Sequence, residues 1–550
     1  MLAVVDKKIS WRWHLAALLA YAAESWLYLD HAAPLTKSVL GLGSDPSLIM
    51  WFLSYWPWAA AHHITSLQTH LLWQPAGLNL AWTTSVPLLA LLGLPFTLLG
   101  GSILAFNVLT LAAPALAAAA AYLLCLELFA VPPAALIGGW LFGFSSYEAA
   151  QTIDHLNLDF TCLLPLLLLA VVRRMRGKSG RAFSVVAFGL LLGAQFLICP
   201  EILATSALVS GIALPLTFWL LPPRRAQLAV LLLDLTLAAP IALLLSAPIL
   251  YAMLTGPYDL AHPPQWPYIF STDLLNFILP TKTSAYGGAL FHRFTKTFSG
   301  GLDEQAGYLG LPVIALLLIA CRNFWHRPEY RLLFIVLAVV LLASLGPELH
   351  IAGHATGIAL PWTLLLHLPL LGAALPSRMA LYSSLLIAII LSGWVAARAQ
   401  RLRIIAGALA CLSLKPAWHP VSPSPALTFF RPGHVQAALG PHPRLLLLPF
   451  GITGPSSFWQ QESRFSFAQT GGYLGYPPAA IQADKPILRF YFGRDYPGFT
   501  PDFIRFCQST HTDFVVAGPG TSAHIMAQMQ ALDWHAQRID DVTVFTVPAP

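Results

Sequence analysis

The chain has 550 residues, of which 57% are apolar and only 10% are charged. Soluble domains have about 45–50% apolar and about 25% charged residues, so the composition predicts a polytopic membrane protein and excludes a chain made only of soluble domains, coiled coils, disordered chains and DNA-binding modules. Lys and Arg number 30 against 24 Asp and Glu. In a membrane protein such an excess usually marks cytoplasmic loops rather than an acidic partner.

Apolar runs that approach the length needed to cross a bilayer, about 20 residues, recur along the chain. The first run contains Glu24 and lacks a small-residue cleavage site, so it is predicted to be an uncleaved span rather than a signal peptide. The predicted fold class is an α-helical polytopic membrane protein of about eleven spans, near residues 13–30, 102–128, 132–147, 156–172, 182–199, 202–221, 226–253, 307–321, 331–346, 379–397 and 404–418.

Basic segments indicate which ends of the spans face the cytoplasm. They can all be cytoplasmic only if two further apolar stretches, 84–99 and 361–375, do not cross the bilayer. Both stretches are short and contain prolines, and we predict that they are external interfacial or re-entrant helices. The N-terminus is then cytoplasmic and the C-terminus is outside. The basic segments are Lys7, Lys8 and Arg12, followed by 173–178, 224–225, 322–331 and 398–403.

The chain is predicted to have two domains. Residues 1–418 form the transmembrane domain, with external loops 31–101 and 255–306. Residues 419–550 are rich in Pro and Gly and form an extracytoplasmic α/β domain. Its strand-like runs are Arg444 to Phe450, Phe514 to Ala517 and Val542 to Val547, and a helical pattern covers 521–532.

Asp45 is the first candidate for a chemical role. It follows the first span, beside Gly43 and Pro46, and precedes an aromatic stretch. A carboxylate there lies within reach of a lipid head group and of an external hydroxyl substrate. It is also a suitable N-cap for a helix over 46–62, with Pro46 at the first helical position. The two roles are compatible.

Asp154 and His155 form a second candidate, in a short external loop. An acid and an imidazole side by side can bind a metal or stabilise a phosphate, and they can equally be ordinary polar loop residues. Glu148 on the same loop is predicted to be solvated. Glu24 and Glu201 lie in or beside apolar runs, where a carboxylate is costly, so each is predicted to face the bundle interior or the interface.

Arg378 lies outside by the charge argument, against the positive-inside trend. It suggests an anionic partner such as a lipid phosphate, or a side chain that anchors the helix at the interface. Tryptophans of the first loop, Trp82 among them, can stack on sugar rings or belong to an interfacial aromatic belt. The sequence has no Walker loop, dinucleotide fingerprint, HExxH or GxSxG motif, so nucleotide and serine-hydrolase chemistry is unsupported.

An acid just after the first span, a long external first loop and a second acidic external loop together resemble GT-C membrane glycosyltransferases. The resemblance covers the architecture to about residue 400. Further strings resemble an uncharacterised bacterial branch of such proteins. The strings are Pro87 to Gly93 followed by Asn107 to Cys125 for the superfamily, and Asn79 to Ser85, Gly143 to Glu148, His155 to Leu158, Leu345 to His350 and Gly471 to Tyr473 for the branch.

The resemblance implies an enzyme of a bacterial cytoplasmic membrane that moves a sugar from a polyprenyl-phosphate donor to a glycan, lipid or protein acceptor. Asp45 is implied as general base and Asp154 as a second catalytic residue. The implied substrate-binding residues are His155, Arg378, Trp82 and Glu304. The acid pair common in such first loops is reduced here to Asp45 and Pro46, which leaves open whether a divalent metal ion is a cofactor.

Two other functions remain open at this point. A transporter or lipid flippase would use Glu24 and Glu201 as relays, although no internal repeat is visible and a carrier does not need large external loops. A binding or assembly protein would act through its C-terminal region. In that region, Phe458 to Gln461 and Gly471 to Tyr476 are predicted either to bind acceptor glycan or to serve only as turns.

Overall fold

The computed structural model describes residues 9–29, 34–257, 266–368, 372, 374–398, 400–494 and 498–548. Lys7 and Lys8 lie outside the described residues. So do residues 31–33 and 258–265 of the two predicted external loops, and part of the stretch 361–375.

Six helices in the described part of the chain are long and apolar enough to cross a membrane. This agrees with the composition, and the chain is a membrane protein. The count of about eleven spans stays a prediction. The six helices are Pro87–Phe129, Leu156–Met175, Arg181–Ile198, Pro200–Leu220, Pro222–Thr255 and Pro376–Ala397. Shorter helices are Trp11–Leu29, Pro132–Gly143, Leu311–Phe324, Pro328–Ser344 and Arg401–Ser413.

The two stretches predicted not to cross have different structures. Residues 87–99 are helical, and two non-helical residues, Gly100 and Gly101, separate them from the following apolar helix. Gly101 has a φ of 81°, a conformation that glycine adopts without strain. In the stretch 361–375, the described residues form a 3₁₀ turn, Pro361–Leu364, in place of a long helix.

Contacts along the chain divide it into two compact units. The first contains Met1–Ala32, Leu109–Ser246 and Pro263–Pro420. Its central element is the helix Ala380–Ala397, which is buried along nearly its whole length and packs against Pro132–Gly143 and Pro328–Ser344.

Small residues let two of these helices in the first unit approach closely. A Cβ atom at Gly138 would lie 3.0 Å from Ser392 Cβ and 2.6 Å from Cys125 Sγ. Ser392 Oγ donates to the carbonyl oxygen of Ala134 at 2.9 Å, so the contact includes a hydrogen bond between helices.

A buried carboxylate in the first unit has two basic partners. Asp234 lies in the helix Arg225–Thr255 and is fully buried. Its Oδ2 accepts from Arg174 Nε at 2.5 Å, and its Oδ1 accepts from Arg181 Nε at 2.9 Å. Both arginines belong to the end regions of neighbouring apolar helices, so this acid is paired where a lone charge would be costly.

The second unit contains Ala33–Val108, Ala247–His262 and Val421–Pro550. It thus combines most of the predicted C-terminal domain with two segments that the predicted division assigned to residues 1–418. The location of residues 419–550 outside the cytoplasm stays a prediction.

A five-stranded mixed sheet forms the core of this second unit. The predicted strands and the predicted helix, Ala523–Gln530, are present. The third, fourth and fifth strands of the sheet are parallel, and the two at the other edge are antiparallel. In spatial order the strands are Ala536–Ile539, Val542–Thr546, Phe514–Ala517, Arg444–Leu448 and Ala468–Gln469.

Within the second unit, the first-loop segment is tied to the C-terminal region. Strand Ser38–Leu40 pairs with Val421–Pro423 in an antiparallel ladder. The helix Asp45–Ala61 packs against the helix Ser456–Glu462. The start of the candidate helix is therefore held by residues about 400 positions away in the chain.

Candidate functional site

A turn between the helices Ser146–Gln151 and Leu156–Asp159 carries the predicted pair Asp154 and His155. The main-chain NH of His155 donates to the carbonyl oxygen of Gln151 at 2.8 Å, and that of Asp154 donates to the same oxygen at 3.3 Å. These bonds close the end of the first helix and fix both side chains on one turn.

Asp303 comes close to this pair from a distant 3₁₀ turn, Leu302–Glu304. The side-chain Nε2 of Gln151 donates to the main-chain oxygen of Asp303 at 2.8 Å. His155 Nδ1 lies 3.1 Å from Asp154 Oδ1 and 3.9 Å from Asp303 Oδ2. One ligand atom from each of the three residues lies within 4.8 Å of the others, which makes them the only such group among the described residues that could hold a metal ion.

Arg378 lies in the 3₁₀ turn Pro376–Met379 and is paired with two carboxylates. Its Nε donates to Glu304 Oε1 at 2.9 Å, its Nη2 donates to the same oxygen, and its Nη1 donates to Glu201. Ser377 Oγ donates to Glu304 Oε2 at 2.9 Å. The predicted role of Arg378 with a phosphate stays a prediction, and the structure adds two partners that the sequence does not indicate.

The carboxylates in these two clusters outnumber the fixed cation. With a neutral imidazole, four carboxylates and one guanidinium carry a formal charge of −4 + 1 = −3. Burial raises the pKa of Asp303; a protonated His155 would oppose this shift, and the charge of Glu304 adds to it. Burial alone would also raise the pKa of Glu304, but Arg378 outweighs it and the pKa of this carboxyl falls below its usual value. Such a site favours a cation.

Glu148 is not solvated, contrary to the prediction. Its side chain is 1% exposed, and Thr161 Oγ1 donates to it at 2.5 Å. The carboxyl group of Asp159, which is also fully buried, lies close enough to act on it electrostatically and accepts from Thr152 Oγ1 at 2.9 Å. Burial, reinforced by the neighbouring acid, raises the pKa of Glu148 well above its usual value.

Asp45 opens the helix Asp45–Ala61, as the first of its helical residues. The N-cap position is Ser44, whose side chain makes no capping hydrogen bond, so the helix begins one residue earlier than expected. Tyr473 Oη donates to Asp45 Oδ1. The carboxylate thus has a specific partner in the C-terminal part of the second unit.

The aromatic segment Phe458 to Gln461 cannot form a glycan-binding surface, because it is buried. Trp459 stacks on Phe430 with ring centroids 5.1 Å apart, and Gln460 Oε1 accepts from Trp51 Nε1 at 2.9 Å. These side chains serve the core of the unit. The second segment predicted to bind acceptor glycan, Gly471 to Tyr476, is only partly buried.

Trp82 ends the 3₁₀ turn Leu80–Trp82 and is half-buried. Asn79 caps this turn by accepting from the main-chain NH of Ala81 at 3.1 Å. Glu24 lines an open cavity of about 460 Å³ in the first unit, together with Lys282 and Lys415. The roles predicted for Trp82 and Glu24 stay predictions.

A family model described as a domain of unknown function, DUF6311, matches residues 15–415. The chain belongs to the DUF6311 family. No curated protein matches the sequence.

Solved structures show the fold of this DUF6311 protein. The arabinofuranosyltransferase AftD from Mycobacteria aligns with the whole chain at 14% identity and a TM-score of 0.58, and a mutant of it aligns at 13% and 0.56. The chain spans 40% and 42% of those two proteins. The Archaeoglobus fulgidus oligosaccharyltransferase aligns with 92% of the chain and 69% of its own length, at 15% identity and a TM-score of 0.49. The likeness to AftD shows the GT-C fold that the sequence predicts.

In this DUF6311 protein, two residues that contact predicted site residues are not predicted for the site from sequence. Asp303 stands next to the predicted Glu304 in an acidic pair, and this pair in an external loop was the available signal. Tyr473 lies in a Gly-Gly-Tyr string that suggested a turn or a sugar-binding surface. Its contact with Asp45, more than 400 residues away, has no local sequence signal.

Proposed function

We propose that this protein is a membrane glycosyltransferase that moves a sugar from a polyprenyl-phosphate donor to an acceptor hydroxyl. The observation that carries the proposal is the group Asp154, His155 and Asp303, set in a GT-C fold. AftD is named an arabinofuranosyltransferase, and because the chain spans 40% of it, the activity comes to this chain as a proposal. The proposed setting is the outer face of a bacterial cytoplasmic membrane.

The donor set suits a divalent ion. Two carboxylates and an imidazole are ligands that Mn²⁺ and Zn²⁺ accept, and three protein ligands leave coordination positions open. The three side chains are between 14% and 24% exposed, so they are shielded but reachable. When bound there, such an ion would supply positive charge to a phosphate leaving group.

The chain's own residues carry the remaining steps of the proposal. Asp45 takes the proton of the acceptor hydroxyl as its oxygen bonds to the anomeric carbon. The bond from that carbon to the phosphate oxygen breaks, and the electron pair stays on the lipid phosphate. A phosphate is a weak base, so this departure needs no strong general acid.

In this proposal Arg378 does not act only as a cation that binds phosphate. Because Glu304 and Glu201 already pair with it, its first effect is to hold Glu304 in place next to Asp303. His155 and Trp82 remain proposed substrate-binding residues, whereas Glu304, whose side chain is 2% exposed, acts on Asp303 and Arg378 instead. Aromatic side chains such as Trp82 can stack on a sugar face.

Labelled donor offered to purified protein in detergent tests the proposal. The probes are polyprenyl-phosphate sugars, an arabinofuranosyl donor among them, with Asp45→Asn as the matched inactive variant. Release of polyprenyl phosphate, with transfer or hydrolysis of the sugar, by the unaltered protein alone supports the enzyme. Counterflow of intact donor in vesicles, with no bond cleavage, would contradict it and favour a carrier.

A further inference from the structure

The hydroxyl of Tyr473 is a hydrogen-bond partner of the Asp45 carboxylate within the second unit. Tyr473 Oη donates to Asp45 Oδ1, and Asp45 is half-buried at the start of its helix. Burial, followed by the negative charge of Asp45, raises the pKa of Tyr473 well above its usual value. The phenol therefore keeps its proton at neutral pH and acts as a donor.

The main chain on each side of Tyr473 is held in place. Ser457 Oγ donates to the carbonyl oxygen of Tyr473, and the NH of Trp73 donates to the carbonyl oxygen of Gly471 at 3.2 Å. Gly472 has a φ of 115°, and a Cβ atom on it would lie 2.6 Å from Leu72 Cδ2. Only glycine fits this position, so the backbone conformation that aims the phenol at Asp45 is specified by the sequence.

The helix that carries Asp45 is anchored to the same support as Tyr473. Trp51 Nε1 donates to Gln460 Oε1 at 2.9 Å, and Ser54 Oγ donates to Gln461 Oε1 at 2.7 Å. Both glutamines lie on the helix Ser456–Glu462, whose Ser457 also binds Tyr473. One short buried helix thus fixes both partners of the hydrogen bond.

We propose that Tyr473 is a positioning residue that orients the Asp45 carboxylate and keeps it ionised until it accepts a proton. This inference rests on the proposed role of Asp45 as general base. A hydrogen bond donated to a carboxylate favours its charged form and sets the rotation of its plane. During transfer the acceptor proton goes to Asp45, and Tyr473 keeps its own proton.

Carbodiimide labelling tests the pairing without requiring turnover, because the reagent reacts with protonated carboxyl groups. The labelled fraction of Asp45 is measured by peptide mass spectrometry as a function of pH. We expect Tyr473→Phe to move the labelling midpoint upward by about one pH unit. The control is Tyr55→Phe, which removes a hydroxyl from the helix Asp45–Ala61 itself, where the ring of Tyr55 stacks on Trp51. It should leave the labelling curve of Asp45 unchanged.

A second variant guards against misfolding of the first. Ser457→Ala keeps the phenol but removes the bond that holds its backbone, and it should move the midpoint in the same direction by less. Coinciding curves for the unaltered protein, Tyr473→Phe and Ser457→Ala would overturn the proposal.

Turnover then separates this inference from the proposed function. In the active protein, Tyr473→Phe should lower kcat about 10- to 100-fold and move the acidic limb of the pH–rate profile upward, with little change in KM. A shifted labelling curve in a protein that cleaves no donor would overturn the proposed function but leave the pairing intact. An unchanged rate profile would remove Tyr473 from the reaction while Asp45 keeps its role.

Discussion

Gln151 reaches across 152 residues of sequence to donate a 2.8 Å hydrogen bond to the main-chain oxygen of Asp303. The bond joins the helix that ends beside Asp154 to the turn that carries the third candidate ligand. Asp303 approaches His155 because this backbone contact fixes its turn, so the candidate metal group depends on a residue that is not itself a ligand.

Mn²⁺ binding should depend both on the candidate ligand Asp303 and on Gln151, which holds the turn of Asp303 in place. Asp303→Asn removes a ligand charge and should weaken binding by at least 100-fold, while Gln151→Ala should weaken it about 10- to 100-fold, as the loss of an outer partner of a metal ligand does. Titration calorimetry on chelator-treated protein in detergent measures both. Asp533→Asn, at an exposed acid of the C-terminal region, should bind as tightly as the unaltered protein.

If neither Gln151→Ala nor Asp303→Asn changes the affinity, the metal lies elsewhere or the protein has none. Removal of the ion by chelator, followed by donor cleavage assays, then shows whether turnover needs it. We expect activity to fall on chelation and to return when Mn²⁺ is added.

Asp45→Asn and Asp45→Ala separate catalysis from helix stability. Asparagine keeps the size of aspartate and can still accept from Tyr473, so Asp45→Asn should fold normally, bind donor and lose turnover by roughly 10²–10⁴-fold. Asp45→Ala should be equally inactive and, because Tyr473 then loses its acceptor, should lose about 1 kcal/mol of local stability in addition. Rates and unfolding midpoints are measured on both. An active Asp45→Asn protein would transfer the role of base to Asp154.

The sequence predicts helices better than it predicts contacts between them. Strand Phe514–Ala517 and the helix breaks near Gly100 follow from local patterns of apolar residues, glycine and proline. Glu148 was misjudged because a polar side chain in a short loop is usually solvated, whereas here a second acid within the next apolar run meets it in the interior. Such pairs form only when the chain folds.

Arg378 should show strong coupling to Glu304 in a double-mutant cycle. Arg378→Gln leaves a nearly buried carboxylate without its cation and should lower the free energy of unfolding by about 3–5 kcal/mol. Glu304→Gln in the Arg378→Gln background should recover part of this loss, since the more deeply buried of the two carboxylates is then neutral. Thermal unfolding in detergent supplies the midpoints. Additive effects of the two substitutions would show that the pair does not stabilise the fold.

Glu148 should make stability fall as pH rises. Its pKa is raised in the folded protein, so the folded state binds the proton more tightly than the unfolded state does. The free energy that this proton contributes to folding is fully present below the ordinary Glu pKa of about 4.3. It is lost as the pH rises towards the raised pKa of the folded state, at up to about 1.4 kcal/mol per pH unit. Glu148→Gln mimics the protonated form and should flatten this dependence above the ordinary value. Parallel unfolding curves for the two proteins would contradict the assignment.

The predicted topology can be read with reporter fusions. A reporter placed after Arg403 should be cytoplasmic, because it follows the last basic loop, and one fused at Pro550 should be outside. Alkaline phosphatase and green fluorescent protein give opposite signals at the two positions. A cytoplasmic signal at Pro550 would require another crossing and would contradict the proposed location of the C-terminal region.

The buried acid Asp234 has a consequence for the biogenesis of this protein. A lone carboxylate in the middle of an inserting helix costs about 2.5–3.5 kcal/mol. Both of its partners, Arg174 and Arg181, precede it in the chain, so a ribosome delivers the two cations to the translocon before the acid emerges. When the helices insert in chain order, the pair Leu163–Met175 and Arg181–Ile198 is therefore already present when the helix that carries Asp234 inserts and packs against it. Truncations or permutations that reverse this order should expose Asp234 and be degraded by membrane quality control.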